Sequence, residues 1–297
     1  MRRIVLIANP FATNVTERGL RAIEATLAQA GSVETRLTER RGHATELAQE
    51  AAGADALVVF GGDGVVNEAL NGLPGGVRFG ALPGGGTSVF ARALGLDRDA
   101  AVAARQLAES IEHGASRRIS LGRVAGRRFA FSAGIGLDAA TVRRVDALGR
   151  RRDGRRPGDL AFTYELVRLL AGNRFRLEPE LEIAGLGRAA AVLVSNADPY
   201  TYAGPVPIHF APGARFELGL DVIAPVRISP RSLPRLLQYV VRGRGVEHAP
   251  DVLYAHDLDR IEVMCDRPLP LQVDGEDLGD VERAVFEAER DAVDILS

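Results

Sequence analysis

The chain has 297 residues, of which 46% are hydrophobic and 26% are charged, and its formal net charge at pH 7 is −2. This length is sufficient for two domains, and the near-neutral charge gives no support for extensive nucleic-acid binding. The sequence contains no lysine, so all 37 basic residues are arginine. The absence of lysine excludes Walker-type kinases, aldolase-like enzymes and pyridoxal phosphate enzymes, because each needs a lysine at its active site.

The first third of the chain alternates strand and helix patterns. The patterns predict strands at 4–8, 33–37, 57–60 and 77–82, and helices at 19–30, 43–52, from residue 64 onward, 87–94 and 97–112. Repeated β-α units of this kind predict a largely parallel sheet covered on both faces, which is a Rossmann-like α/β domain.

Polar residues and glycines directly follow four of these strands. Asn9, Thr38, Asp63 and the glycine turn 84–86 each come just after a predicted strand. Ligands of such sheets bind beyond the carboxyl ends of the strands. We therefore expect these residues to line one edge of the sheet.

Residues 61–68, with the sequence GGDGVVNE, connect a β-branched run to a helical pattern. The glycines let the backbone approach a bulky anion and point N–H groups at it. The helix that begins near Gly64 adds the positive end of its dipole, worth about 0.3–1 kcal/mol to an adjacent anion. Asp63 would repel that anion unless it serves the chemistry, by holding Mg²⁺ or by accepting a proton. The segment predicts a phosphate site with a functional carboxylate.

From about residue 116 the pattern changes to short strands separated by glycine and proline turns. The predicted elements are a hairpin at 117–124 and 128–132, helices at 139–148, 160–171 and 230–241, and strands at 178–183, 188–195, 215–224, 258–265 and 269–273. They predict a β-rich, sandwich-like domain. We therefore predict an α/β domain at residues 1–118 and a β-rich domain at residues 119–297.

The sequence also bears on the cellular compartment. The apolar run at residues 4–8 is too short for the hydrophobic region of a signal peptide, and no run approaches the eighteen or so apolar residues of a membrane span. Cys265 is the only cysteine, so no intrachain disulfide can form. We expect a cytoplasmic protein in which Cys265 fills space in a strand.

Five motifs in order resemble the diacylglycerol kinase catalytic family, which includes sphingosine kinases and soluble bacterial lipid kinases. They are Asn9-Pro10, GGDGVVNE at 61–68, PGGGTSVFAR at 83–92, AGIGLDA at 133–139 and VDGE at 273–276. GGDG alone is less specific, because NAD kinases and phosphofructokinases are similar there. The resemblance spans nearly the whole chain. It implies ATP-dependent phosphorylation of a lipid hydroxyl, with the nucleotide between an N-terminal α/β domain and a C-terminal domain that receives the lipid.

The resemblance also implies roles for individual residues. We expect nucleotide contacts from Asn9, Thr38, Gly61, Gly62, Gly64, Asn67, Glu68, Gly85 and Thr87. Asp138 matches a position that holds the lipid head group in sphingosine kinases. The family offers two general bases, Asp274 as in bacterial diacylglycerol kinases and Asp63 as in sphingosine kinases. We favour Asp274 as the base, with Asp63 near Mg²⁺ and the phosphates and with Glu276 sharing the work.

Metal binding is expected at one place and doubtful at another. With no lysine, the phosphate charge has to be neutralised by backbone N–H groups, Mg²⁺ and Arg92. Some bacterial members also bind a structural Mg²⁺ through an acidic loop. The matching stretch here, 214–221, keeps only Glu217 at a ligand position, so we expect that second site to be weak or lost.

Five positions depart from the family pattern. Val65 replaces the threonine of GGDGT, and Gly86, Ser88 and Val89 replace the threonine, asparagine and aspartate of PxGTxND. Ser132 replaces an asparagine that is common before AGxGxDA. Each lost hydrogen bond to a charged group costs about 1.5–3 kcal/mol unless another group replaces it. The departures leave open a nucleotide- or lipid-binding protein without turnover, and an NAD kinase-like enzyme is a further alternative.

Simpler interpretations remain open for several of these features. Asp274-Gly275 is also a strong hairpin-turn signal, Asp138 is also a candidate helix N-cap, and Thr38 is also a candidate loop hydroxyl without a ligand. A group of arginines is either solvated surface or a docking site for anionic membrane lipid. Its members are Arg143, Arg144, Arg150, Arg151, Arg152, Arg155 and Arg156.

Overall fold

The computed structural model describes residues 1–149, 159–204 and 206–296. The chain forms two compact units, one of residues Met1–Ile119 together with the C-terminal residues from Asp291, and one of residues Ser120–Arg290. The predicted division assigned all residues after 118 to one domain. In the structure the C-terminal residues belong to the first unit, because Ile295 pairs with Phe79 in its sheet.

The first unit contains a parallel sheet with the strand order β4-β3-β1-β2. The strands are β1 (Arg3–Ala8), β2 (Ser32–Leu37), β3 (Ala56–Gly61) and β4 (Arg78–Pro83). Residues 4–8 and all of β3 are buried. Continuous apolar runs of this kind are typical of strands that are covered on both faces.

Helices cover this sheet, as the alternating pattern predicts. They are α1 (Glu17–Leu27), α2 (His43–Gln49), α3 (Asp63–Gly72), α4 (Val89–Ala93) and α5 (Ala100–His113). Helix α2 packs against α3, and α1 packs against α5. Asp99 caps α5 by accepting the N–H groups of Ala101 and Val102, which fixes where this helix begins. The predicted α/β class of the N-terminal part is confirmed.

The second unit consists mainly of antiparallel strands. They are β5 (Arg117–Val124), β6 (Arg127–Phe129), β7 (Ser132–Ile135), β8 (Leu181–Ile183), β9 (Gly187–Ala189), β10 (Val192–Ser195), β11 (Thr201–Ala203), β12 (Val206–Ile208), β13 (Leu220–Pro225), β14 (Val252–Leu258), β15 (Arg260–Val273) and β16 (Glu276–Ile295). The helices are α6 (Leu137–Ala147), α7 (Asp159–Gly172) and α8 (Leu233–Arg242), with a short 3₁₀ helix at Val246–His248. Strand β5 begins in the first unit and ends in the second, and β16 runs back from the second to the first.

Strand β15 contributes to two parts of the antiparallel sheet. Its first half pairs with β8, and its second half pairs with β7, which continues through β10 and β13 to β14. Apolar side chains from these strands form one buried cluster, in which the rings of Phe129 and Phe286 meet edge to face at 6.5 Å. The predicted β-rich, sandwich-like character of the C-terminal part is confirmed.

The sequence patterns did not predict β11, β12, β14 or β16, and they placed the start of β13 too early. Ten of the 20 residues of β16 are charged, and Asp and Glu are depleted in strands. These charges are accommodated by ion pairs with the neighbouring strand, such as Arg260–Glu287 at 2.7 Å and Arg283–Glu262 at 2.7 Å. None of the helices in the described ranges has the length and apolar character that a membrane span requires.

Candidate functional site

Three loops of the first unit meet beyond the carboxyl ends of β1, β3 and β4. We call residues 9–15, 61–64 and 84–88 the loop cluster. The Gly84 N–H donates to the Gly61 carbonyl at 2.8 Å, and the Asn14 N–H donates to the Gly84 carbonyl at 2.9 Å. The Asn14 side chain adds a bond to the Gly85 carbonyl at 2.7 Å. Backbone groups from all three loops are therefore tied together at one edge of the sheet.

The glycines of the loop cluster fall into two groups. A Cβ on Gly84 would lie 2.8 Å from the Cα of Gly61, and a Cβ on Gly85 would lie 2.8 Å from the Cα of Gly62. These glycines are required because two stretches of backbone touch. Gly86 differs, because it is exposed and a Cβ there would meet nothing within 4 Å. Among the described residues, its N–H has no partner, so it is accessible to a ligand.

Asp63 connects two of the three loops. It begins α3, and its carboxylate accepts the N–H of Val89 through Oδ2 and the N–H of Phe90 through Oδ1, both at 3.0 Å. These N–H groups belong to the first turn of α4, whose N-cap residue Ser88 makes no side-chain cap bond. Asp63 therefore caps α4 and fixes the position of the 84–88 loop relative to α3.

The N-terminus of α3 begins at a glycine. Its N-cap residue is Gly62, which has no side chain that could accept a helix N–H. Val65 is buried, and a Cβ on Gly61 would lie 2.2 Å from its Cγ1, so the valine fills the space beside that glycine. An α-helix leaves its first N–H groups without intrahelical partners, and such N–H groups bind anions.

Other predicted nucleotide contacts lie deeper in the first unit. The Asn67 side chain is 1% exposed and accepts a bond from Asn71 at 3.3 Å. The Glu68 carboxylate accepts the Ala44 N–H of α2 at 3.3 Å. Thr38 is buried. These contacts lie within α3 for Asn67 and join Glu68 to α2.

Asn9, Gly64 and Thr87 complete the predicted set in this unit. The Asn9 carbonyl oxygen Oδ1 accepts the Phe11 N–H at 2.9 Å, which closes the first loop. Gly64 is the second residue of α3, and Thr87 is partly exposed in the 84–88 loop. These three residues belong to the loop cluster.

In the second unit, Asp274 forms a two-residue turn with Gly275 between β15 and β16. Both residues have positive φ, 45° and 79°, as in the tight hairpins that the Asp-Gly pair favours. The Asp274 carboxylate accepts the N–H of Ala130 through Oδ2 at 2.7 Å. Its Oδ1 accepts the N–H of Phe131 at 3.0 Å and of Ser132 at 3.1 Å. Three backbone N–H groups thus donate to a carboxylate that is 4% exposed, and hydrogen bonds to an ionised acceptor are stronger than those between neutral groups.

Glu276 follows this turn and is neutralised by an arginine. The Arg127 guanidinium donates to Glu276 Oε2 at 2.7 Å, and both side chains are mostly buried. Removing one partner of such a partly buried ion pair destabilises the protein, because the remaining charge is left without its counter-charge. The structure brings Glu276 and Asp274 together at one end of the β15–β16 hairpin.

Asp138 lies at the start of α6, but it is not the N-cap, which is Gly136. The N-cap interpretation is therefore wrong. The Tyr200 hydroxyl donates to Asp138 Oδ1 and the Gln272 amide donates to Oδ2, each at 2.7 Å. Burial raises the pKa of Asp138, while the hydrogen bonds from these two residues act in the opposite direction. Burial and the nearby Asp138 charge raise the pKa of Tyr200 well above its usual value.

The predicted metal ligand and the predicted arginine group are only partly described. Glu217 is exposed, and among the described residues no group of three or more His, Cys, Asp or Glu side chains is arranged to hold a metal ion. Arg143 pairs with Asp277 at 2.8 Å, and Arg144 pairs with Glu165 at 3.7 Å. The other predicted members of that group lie outside the described residues: Arg150, Arg151, Arg152, Arg155 and Arg156.

Comparison with known proteins follows the same division of the chain. A family model described as the diacylglycerol kinase catalytic domain matches residues 3–124. A second model, described as the YegS C-terminal NAD kinase beta sandwich-like domain, matches residues 132–297.

Individual relatives agree with these models. A diacylglycerol kinase of Bacillus subtilis (strain 168) is 36% identical over 143 residues, a match that covers 46% of each protein and so spans about half the length of that relative. The crystal structure of a diacylglycerol kinase from Bacillus anthracis str. Sterne aligns with a TM-score of 0.73, covering 99% of this chain and 96% of that chain at 21% identity. An NAD kinase from Archaeoglobus fulgidus in complex with ATP aligns with a TM-score of 0.55, covering 99% and 93% at 12% identity. At these sequence identities, the two structural similarities are evidence for the fold and not for the activity.

Proposed function

Because this chain belongs to the diacylglycerol kinase catalytic family, we propose that it is a lipid kinase that transfers a phosphoryl group from ATP to a hydroxyl of diacylglycerol or a related lipid. The observation that carries the proposal is the loop cluster, which presents the Gly86 N–H and the N-terminus of α3, whose N-cap residue is a glycine, at the carboxyl edge of a parallel sheet. Phosphates bind at such edges and at such helix ends.

In this proposal the first unit binds the nucleotide through its main chain. The loop cluster holds the phosphates with backbone N–H groups, since no lysine is present. Mg²⁺ is usually held by one or two carboxylates together with substrate phosphates, which is compatible with the lack of an all-protein metal cluster among the described residues. When bound, Mg²⁺ supplies charge neutralisation at the transferred phosphoryl group.

We assign the general base to Asp274 and a positioning role to Asp63. Both oxygens of Asp63 bind the N–H groups that begin α4, so this carboxylate keeps the loop cluster in shape. Backbone N–H groups bind both oxygens of Asp274 as well, so the assignment of the base to Asp274 rests on its match to the base position of bacterial diacylglycerol kinases. Its ionised carboxylate would accept the proton of a lipid hydroxyl. Glu276 assists from the same hairpin while paired with Arg127.

The second unit binds the lipid head group in this proposal, through Asp138. A head-group hydroxyl that donates to Asp138 would lie among groups already fixed by hydrogen bonds, because Tyr200 and Gln272 hold both carboxylate oxygens. Because these side chains are preorganised before the lipid binds, less conformational entropy is lost on binding. The protein would work in the cytoplasm and meet its substrate at a membrane surface.

A second candidate function is nucleotide or lipid binding without turnover. It is favoured by Val65, which fills the space beside Gly61 with methyl groups, and by Val89, which is buried. Incubating the purified full chain with γ-labelled ATP, MgCl₂ and a panel of diacylglycerol, sphingosine, monoacylglycerol and NAD distinguishes the candidates. Label transfer to a lipid supports the proposed kinase. Transfer to NAD alone supports an NAD kinase, and binding without any transfer supports the second candidate.

A further inference from the structure

Helix α8 carries apolar side chains on two faces. Leu236 and Tyr239 face the second unit and pack against a small apolar cluster. Leu237 and Val241 point elsewhere and are 61% and 54% exposed. Residues four apart lie on the same side of a helix, so these two form one exposed apolar strip.

The hairpin formed by β11 and β12 lies beside α8. Strand β12 packs against α8, and the His209 N–H that follows it donates to the Val240 carbonyl of α8 at 2.9 Å. Val206 of the hairpin is 48% exposed. Two neighbouring elements therefore expose aliphatic side chains. We call Val206, Leu237 and Val241 the apolar strip.

The stretch of chain that contains α8 carries charges of one sign. Residues 226–246 contain five arginines and no acidic residue. Arg227 pairs with Glu178, and Arg235 pairs with Asp251. The other three are exposed and have no ion-pair partner in the part of the chain that the structure describes: Arg231, Arg242 and Arg244.

The positions of the arginines relative to the apolar strip form a definite pattern. On a helix with 3.6 residues per turn, Arg242 lies about 100° and Arg235 about 120° around the helix axis from Val241, on the face beside the apolar strip. Arg231, just before the helix, continues the arginine side, and Arg244 follows its C-terminus. The nearest acidic residue along the chain, Glu247, accepts the Gly245 N–H at 3.0 Å. An aliphatic strip flanked by arginines is typical of a helix that lies in the plane of a membrane surface.

We propose that α8 and the β11–β12 hairpin dock on the surface of an anionic lipid bilayer, with the apolar strip at the head-group boundary and Arg231, Arg242 and Arg244 against lipid phosphates. The biological use of this surface rests on the proposed function, since a lipid kinase has to reach a substrate in a bilayer. Charge complementarity identifies the occupant, because this surface combines aliphatic side chains with arginines that have no ion-pair partner among the described residues, and residues 226–246 contain no acidic residue.

The proposal predicts how strongly binding depends on each group. One arginine near an anionic leaflet contributes about fivefold to the partition coefficient, so replacing Arg231, Arg242 and Arg244 with Gln weakens binding on the order of 100-fold. Salt screens these contacts, because the Debye length falls to about 8 Å at physiological ionic strength. Replacing Leu237 and Val241 with Ser removes apolar burial and weakens binding by about tenfold or more.

Tryptophan fluorescence tests insertion directly, because the chain contains no tryptophan. The full chain with Leu237→Trp is mixed with vesicles of phosphatidylcholine alone or of phosphatidylcholine with phosphatidylglycerol. We expect a blue shift and quenching by brominated lipid only with the anionic vesicles. The matched control is Met264→Trp, at a position on β15 that is 49% exposed, and we expect no shift there. No shift for Leu237→Trp, or equal shifts with both variants, overturns the proposal.

Co-sedimentation with the same vesicles gives a second test that does not depend on a new side chain. The arginine variant and the Leu237→Ser/Val241→Ser variant should lose binding. A control that replaces the exposed Arg18, Arg98 and Arg105 of the first unit with Gln should retain it. Binding that survives both α8 variants overturns the proposal. Phosphorylation of lipid in detergent micelles reports the kinase function separately, so vesicle binding without turnover would reject only that function.

Discussion

The Gln272 amide donates from Nε2 to Asp138 Oδ2 at 2.7 Å. The other amide atom of Gln272, Oε1, accepts the N–H of Gly275 at 2.8 Å, and Gly275 is the neighbour of Asp274 in the hairpin turn. One fully buried amide therefore links the carboxylate assigned to the lipid head group with the carboxylate assigned to proton acceptance. In the proposed function, these two roles are coupled through a single side chain.

Replacing Gln272 with Leu tests this link. The substitution leaves Asp138 Oδ2 and the Gly275 N–H without their partner, and each unsatisfied buried group costs about 1–3 kcal/mol. We expect kcat/KM for the lipid to fall at least tenfold, while KM for ATP stays unchanged. The control is Gln49→Leu, at an exposed position on α2. An unchanged lipid kcat/KM in Gln272→Leu would show that the link has no role in catalysis.

Replacing Tyr200 with Phe tests the electrostatics of Asp138. Burial raises the pKa of Asp138, and the Tyr200 hydroxyl opposes this shift, so its removal raises that pKa further. If charged Asp138 is required, activity is lost as pH falls through its pKa, and the acid limb of the pH–rate profile moves to higher pH. One hydrogen bond of about 1 kcal/mol corresponds to a shift of less than about one pH unit. An acid limb that stays in place, as expected for the exposed control Tyr164→Phe, would contradict this role.

Asp63 and Asp99 form a matched pair, because each caps a helix through backbone N–H groups. Loss of an N-cap costs about 0.5–2 kcal/mol, so we expect Asp63→Asn and Asp99→Asn both to lower the free energy of unfolding in urea. Only Asp63→Asn should raise KM for ATP, because only Asp63 fixes the 84–88 loop. Equal ATP kinetics in the two variants would remove Asp63 from the nucleotide site.

Adjacent glycines provide a test of the loop cluster. In Gly85→Ala the new Cβ would lie 2.8 Å from the Gly62 Cα, so the backbone of two loops has to separate, whereas in Gly86→Ala the new Cβ meets nothing within 4 Å. We expect ATP affinity, measured by calorimetry, to fall at least tenfold in Gly85→Ala and to change little in Gly86→Ala. A larger effect in Gly86→Ala would mean that the close approach of the loops is not what shapes the nucleotide site.

The fold could be predicted where side-chain patterns report burial directly. The fully apolar β3 and the glycine turns around it identify the parallel sheet, and the Asp-Gly pair at 274–275 identifies its hairpin. Strand β16 could not be predicted in this way, because its ten charged residues are balanced by ion pairs with β15. Such pairing depends on the register between strands, which a single strand pattern does not reveal.

The hydrogen-bond partners in the candidate site were also hard to predict from the sequence. The carboxylates of Asp63, Asp138 and Asp274 lie in recognisable motifs, but the groups that bind them do not. Asp63 and Asp274 bind backbone N–H groups, and any residue type can supply a backbone N–H. Tyr200 lies 62 positions from Asp138 and follows no recognisable motif. One partner could have been recognised from the sequence. Gln272 is a polar residue among apolar neighbours, two positions before Asp274.

The central claim is that this chain phosphorylates a lipid with Asp274 as the base. Single-turnover transfer of label from γ-labelled ATP to diacylglycerol in micelles, compared between the natural chain and Asp274→Asn, tests it most directly. Urea unfolding and ATP calorimetry first establish that the variant is folded and binds nucleotide. We predict that the rate of transfer falls by about 10²–10⁴-fold with ATP affinity retained. Transfer at an undiminished rate in Asp274→Asn would contradict the account.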